Sequence, residues 1–308
     1  MEHKIENVPL IGNGLTRAYD GVSWDELLTQ LDIRKDKSIL VADLDIPEPL
    51  KAVYITKDSV SEALAMHKEQ FFGEIKTDTQ MKMLRRVLSI GFDHILTTNY
   101  GYELEFAAMG EKRLSEKKLT SITRHTDEVK VSERKYLLHT YNEVNGSKIW
   151  HIHGEARKIA SMQLGHYSYG NTLFKIKDLV QKRKGFYAQN QSAGVFTEAK
   201  SWVDAFILGN LYVLGFGFNF SEFDLWWLLN RRKCEKASTG RIIFYEMDES
   251  QNAVKHELLN IMGVEVRSLG FKKNGENSYA SFYEAAIEDI RKEVANSQFQ
   301  SKELVMAK

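Results

Sequence analysis

The chain has almost no cysteine. Cys234 is the only one among 308 residues, which excludes an intrachain disulfide and a cysteine-built zinc cluster and points to a reducing compartment. Charge of one sign is lacking too: 42 lysines and arginines balance 42 aspartates and glutamates, so no global field draws the chain to nucleic acid or a membrane surface. No apolar run approaches the ~20 residues of a membrane span. Residues 1–7 lack the basic-then-apolar pattern of a secretory signal. These absences set the expectation of a cytoplasmic protein with no membrane partner. What remains, 43% hydrophobic and 27% charged, is ordinary for a globular chain long enough to bury a large core.

Short apolar runs alternate with helical periods. Strands are expected from Asn7 to Ile11, from Ile95 into Thr97, from Lys148 to Ile152, from Leu211 to Leu214, from Arg241 to Met247 and from Val264 to Leu269. Asn145-Gly146 marks a hairpin before the third of these. Helix starts are signalled by the Ser23/Glu26 capping box and by Thr77 or Asp78, with further helices from Glu198, Ser221, Gln251 and Phe282. Residues 35–49 read as a loop because Pro47 and Pro49 stop regular structure, 168–171 as a turn, and 184–194 as polar and mobile. The charged stretch from Glu111 reads as a solvated excursion. The pattern predicts an α/β fold: a Rossmann-like open, mostly parallel sheet with helices on both faces and a small helical insertion lobe. One domain over 1–296 is expected, with the lobe within 111–147 and 155–198, followed by a polar tail at 297–308.

Ligands of open parallel sheets gather at the carboxyl ends of strands, near the point where strand order reverses. Gly12-Asn13-Gly14 follows the first strand, with Leu15, Thr16 and Arg17 next, and Arg17 stands where a dinucleotide fingerprint would have its third glycine. Thr98, Asn99 and Tyr100 form the tip after the second strand; His153-Gly154 and Gly215-Phe216-Gly217 end two others. Together they suggest a dinucleotide cleft, with the first glycines holding pyrophosphate through backbone N–H groups. Asp224 either meets a ribose or stabilises the first turn of its helix. His151 shares a face with His153 but lies deeper in the strand, where a core hydrogen bond commonly holds a histidine. Trp226 and Trp227 read as packing. No metal site and no paired-carboxylate metal pattern are evident.

The segments strand-Gly12-Asn13-Gly14, Leu96-Thr97-Thr98-Asn99-Tyr100, His151-Ile152-His153-Gly154 and Leu214-Gly215-Phe216-Gly217 occur in this order, the last followed by Glu222-Phe223-Asp224-Leu225-Trp226-Trp227. In that order and spacing they resemble the sirtuin-like domain of bacterial antiphage defence proteins. The resemblance covers the chain from Pro9 to Leu269. It implies NAD as substrate, Asn99 and His153 as the catalytic pair, and destruction of the cofactor as an abortive-infection response. It also implies a homo-oligomer and an operon-encoded ATPase as partner. Deacylating sirtuins carry a four-cysteine zinc ribbon that this chain cannot supply and a segment after the first glycines that residues 21–26 do not match, so the expectation is hydrolysis of NAD, without structural zinc, rather than deacylation. Asn99 would orient ribose or water and His153 would act as general base. A cyclising reaction and a module that senses NAD or ADP-ribose derivatives without turnover stay open as alternatives.

Overall fold

The computed structural model describes residues 5–19, 23–126, 136–193, 199–235, 240–247, 252–271 and 278–306. Gly21, Glu198, Gln251 and the 127–135 part of the charged stretch lie outside the described residues. The strands are β1 (Asn7–Ile11), β2 (His94–Thr97), β3 (Thr123–His125), β4 (Thr140–Val144), β5 (Ser147–His151), β6 (Asn210–Leu214), β7 (Ile242–Tyr245) and β8 (Val264–Arg267). They form one sheet in the order β3-β4-β5-β2-β1-β6-β7-β8. From β5 to β8 all neighbours are parallel; β4 and β3 join antiparallel at one edge. The sheet is thus open, mixed and mostly parallel, as the alternating pattern predicts.

Burial explains why the strand sequences look as they do. Every residue of β1, β2, β6 and β7 is buried, which accounts for their continuous apolar runs. Successive side chains enter opposite layers: Leu211 and Val213 join a core with Trp202, Phe206, Leu225 and Leu229, while Tyr212 and Leu214 join one with Leu84, Phe106, Phe282 and Ile287. Helices therefore cover both faces. The central strand β1 carries Pro9, and its pairing with β2 registers only Leu10 and Ile11, beyond the residue that has no N–H to give.

Chain order across the sheet fixes the ligand crevice. After β1 the chain moves to β2 on one side; after β6, β1's other neighbour, it moves to β7 on the opposite side. The reversal therefore falls between the carboxyl ends of β1 and β6, where the two glycine-spaced turns stand.

Several elements depart from expectation for identifiable reasons. Glu48–Thr56 is helical because Pro47 serves as its N-cap and Pro49 sits in the first turn, where no N–H is required. His166–Lys182 runs as one helix through the expected turn at 168–171, and the polar stretch after it forms a further helix, Lys184–Ala193. The last helix, Tyr279–Met306, continues into the expected tail, since no glycine or proline interrupts it. Within 111–147, the described residues contribute β3 and β4 to the main sheet as well as the helix Glu116–Ile122. The hairpin accomplishes this: Asn145 and Gly146 both have positive φ, 52° and 83°, and turn β4 back onto β5.

Candidate active site

A cleft of about 570 Å³ opens at the crevice. Asn13, Gly14, Thr98, Asn99, Tyr100, His153, Gly215, Phe216 and Gly217 all line it. The strand ends expected to converge therefore do so. Gly12, Leu15 and Asp224 are not on its wall.

The glycines have different tasks. Gly12 N–H donates to Leu214 O at 2.9 Å and Gly14 N–H to Gly215 O at 2.7 Å, so these amides join β1 to β6 instead of waiting for phosphate. A Cβ on Gly12 would lie 2.4 Å from Gly215 O, and one on Gly215, whose φ is +70°, would lie 2.5 Å from Leu15 N. The two turns are interlocked backbone to backbone. Leu15 is fully buried in the core beneath them. Gly217 is different: its nearest neighbour would be Asn219 Oδ1 at 3.6 Å, which leaves room for a ligand.

The Asn99 tip is held from three sides. Thr98 N–H and the Thr97 hydroxyl both donate to Ile11 O, at 3.2 and 3.0 Å, while Asn99 N–H donates to Thr97 Oγ1 at 3.1 Å. Behind it stands His151, whose Nδ1 lies 2.8 Å from Asn99 O and whose Nε2 lies 2.9 Å from Glu105 Oε1. Both partners are acceptors, so both ring nitrogens must donate, and the ring is an imidazolium. Burial pulls its pKa down, but the Glu105 charge and hydrogen bond, with help from Glu155 and the Asn99 carbonyl, raise it to about 9. Glu105 also accepts from Asn142 Nδ2 at 2.8 Å. His151 is thus a positioning residue, in keeping with its place deep in the strand. Asn99 Oδ1 is buried without a hydrogen-bond partner among the described residues.

His153 comes two residues beyond β5. Its backbone is braced by Gln163, whose N–H donates to His153 O at 2.8 Å and whose Nε2 donates to Ile152 O at 3.1 Å. Gly154 is required by a φ of +92° and by Ser161 O, which would lie 2.2 Å from a Cβ. His153 Nε2 stands 3.2 Å from Asp224 Oδ2 and 3.7 Å from Glu222 Oε2, as an ion pair out of line for a hydrogen bond. Burial lowers the His153 pKa, yet the two carboxylates outweigh it and the net direction is upward. Burial raises that of Glu222, against the pull of His153. Tyr169 packs edge-on to the His153 ring and donates its hydroxyl to Glu222 Oε2 at 3.1 Å. Nε2 is thus the buried nitrogen, and Nδ1 has no hydrogen-bond partner among the described residues.

Asp224 is fully buried, and its second oxygen accepts from Leu225 N–H at 2.9 Å, so it backs His153 and also caps its own helix. Glu222 and Tyr169 line the cleft; Tyr169 stood in no motif, and Glu222 only at the helix start that follows the last glycine-spaced segment. The signal for Glu222 lies in Glu222-Phe223-Asp224, two acids around an aromatic at a glycine-rich strand end. The donor atoms of His153, Glu222 and Asp224 lie within 4.8 Å of one another, a spacing that would also suit a divalent cation. A proton on His153 meets the same two carboxylates without any added group. Trp226 and Trp227 pack against the core and do not line the cleft. Among the described residues, no helix is long and apolar enough to cross a membrane. Compared with known proteins, the chain matches no family model and no curated protein.

Proposed function

We propose that the chain is an NAD glycohydrolase that splits NAD into nicotinamide and ADP-ribose. The observation that carries this reading is the meeting of Asn99 and His153 on one cleft at the sheet's reversal point, with His153 backed by a buried carboxylate. The sequence resemblance supplies the substrate.

The reaction needs little more. The bond from ribose C1′ to the pyridinium nitrogen breaks, its electron pair leaves with neutral nicotinamide, and no general acid is required. Positive charge develops on the ribose as in glycoside hydrolysis. The Asn99 amide, on a tip its neighbours hold still, orients water or a ribose hydroxyl. Water attacks C1′ and gives its proton to His153 Nδ1, the nitrogen turned away from Asp224. Asp224 and Glu222 strengthen that base and stabilise the imidazolium formed. The pair also means that resting His153 is protonated at the lower end of the pH range, and the base form grows as pH rises. Gly217, Phe216 and Thr98 offer further wall to the dinucleotide.

We further propose, from the resemblance, that this activity serves as an abortive-infection effector, and that a homo-oligomer or an operon-encoded ATPase switches it on. Free hydrolysis would poison the host, which favours such control. Nicotinamide release from NAD by the purified protein, alone and with its assembly partners, tests the reading; Asn99→Ala and His153→Ala must abolish it. Binding of NAD without release under every condition would make the chain a sensor instead.

A further inference from the structure

One carboxyl on the cleft wall has no part in this chemistry. Glu103 opens the helix Glu103–Met109 and lines the cleft. Its carboxyl lies against two glycines: a Cβ on Gly73 would come 2.1 Å from Oε1, and one on Gly101 2.6 Å from Oε2. The two missing side chains make the space it fills. Among the described residues no other side chain hydrogen-bonds or ion-pairs with it; Arg113, an arginine of the cleft, pairs with Glu69 at 2.6 Å. The charges that act on Glu103 are Glu105 on its own helix and His151 on β5; Arg17, Glu48, Glu69, Glu74, Lys76 and Arg113 also line the cleft.

Burial, with a further push from Glu105, raises the Glu103 pKa to about 7 against the pull of its own backbone N–H and of His151. Near neutral pH its acid form is well populated. That form presents an O–H donor and a carbonyl acceptor side by side, the complement of a primary carboxamide, which offers an acceptor and an N–H donor in the same spacing. Aromatic surface adjoins: Tyr100 lies 6.1 Å from Trp24 and 5.9 Å from Phe71, ring centre to ring centre, and all three line the cleft. Such rings suit the flat, cationic face of a pyridinium. Gly101 is two residues from Asn99, which keeps the carboxyl within roughly 11 Å of the Asn99 backbone. One bound ligand can reach both.

We infer that Glu103 is the specificity-determining residue of the cleft: it recognises the ring carboxamide of NAD and turns away the analogue that carries a ring carboxylate. The inference rests on NAD being the ligand. Against a carboxylate, Glu103 offers either like charge or a single hydrogen bond, and a site built for hydrogen bonding discriminates strongly against a group that leaves its polar atoms unpaired.

The test is a calorimetric titration of His153→Ala protein, in which nothing is consumed, with NAD and with nicotinic acid adenine dinucleotide. Glu103→Gln and Glu103→Ala are then placed in the same background. The expected result is a preference for NAD of about tenfold or more in the parent. In Glu103→Gln the preference collapses, because the glutamine N–H can donate to the carboxylate; in Glu103→Ala NAD loses about tenfold in affinity and the preference disappears. Either variant suffices for the comparison. An unchanged preference in a folded variant overturns the role of Glu103 and leaves the NAD reading standing. Failure of the parent to bind either dinucleotide removes the NAD reading itself, and the inference with it.

Discussion

Asp224 Oδ2 lies 3.2 Å from His153 Nε2, inside a layer that admits no solvent to the carboxylate. A buried charge left alone is costly, and each of these groups meets that cost for the other. The arrangement fixes the ring and directs its second nitrogen away from the carboxylate. It also predicts how the reaction responds to pH.

In the wild-type protein the rate of NAD cleavage should rise with pH as His153 gives up its proton. Asp224→Asn removes the charge that raises the His153 pKa, so the profile should move to lower pH. The plateau rate should fall about 10- to 100-fold, because the remaining base is weaker. Initial rates across pH 5 to 9 measure both effects. A lower plateau with an unmoved profile would mean that Asp224 serves packing alone.

Asn99→Ala should reduce turnover by about 100-fold or more while NAD binding changes only a few-fold, since the amide aligns the reacting groups rather than holding the whole ligand. Rates and calorimetric affinities on the same preparation separate the two. A loss confined to binding would contradict the assigned role.

The His151–Glu105 pair predicts a stability slope. The folded pKa of His151, about 9, exceeds the ordinary value of 6.5, so its contribution is complete below pH 6.5 and is lost as pH rises toward 9. The loss should be on the order of 3 kcal/mol over that window. Urea unfolding of wild-type protein and Glu105→Gln at several pH values checks this. The variant should be the less stable at pH 6.5 and should lack most of the slope; parallel curves would refute the imidazolium.

Glycine substitutions should sort by neighbour rather than by motif. Gly12→Ala and Gly215→Ala force a Cβ to within 2.4 and 2.5 Å of backbone atoms and should cost about 2 kcal/mol or more. Gly217→Ala, with nothing closer than 3.6 Å, should leave the melting temperature nearly unchanged and alter only ligand affinity. Thermal unfolding of the three variants distinguishes these outcomes.

Much of this arrangement was legible in the residues themselves. Strands buried on both faces announce themselves as apolar runs, and β1, β6 and β7 were readable for that reason. The tips followed because glycine, asparagine and histidine stood where the apolar runs ended. Elements decided by tertiary packing were harder: Pro47 and Pro49 look like helix breakers until one proline is seen to cap and the other to occupy a first turn. Partnerships between distant segments left no local trace. Glu105 stands in no motif and Glu222 only at the helix start after the last glycine-spaced segment, yet one holds the Asn99 tip through His151 and the other flanks His153. Gly12 and Gly215 were visible as a motif, but their contact depends on two strands more than two hundred residues apart meeting side by side.

The central claim is most directly tested by product analysis. NAD is incubated with the purified chain, alone and in its assembled form, and the mixture is resolved by chromatography beside a His153→Ala control. The account predicts equal amounts of nicotinamide and linear ADP-ribose, absent in the control. Cyclic ADP-ribose as the main product, release that persists in His153→Ala, or intact NAD in every assembled form would contradict it.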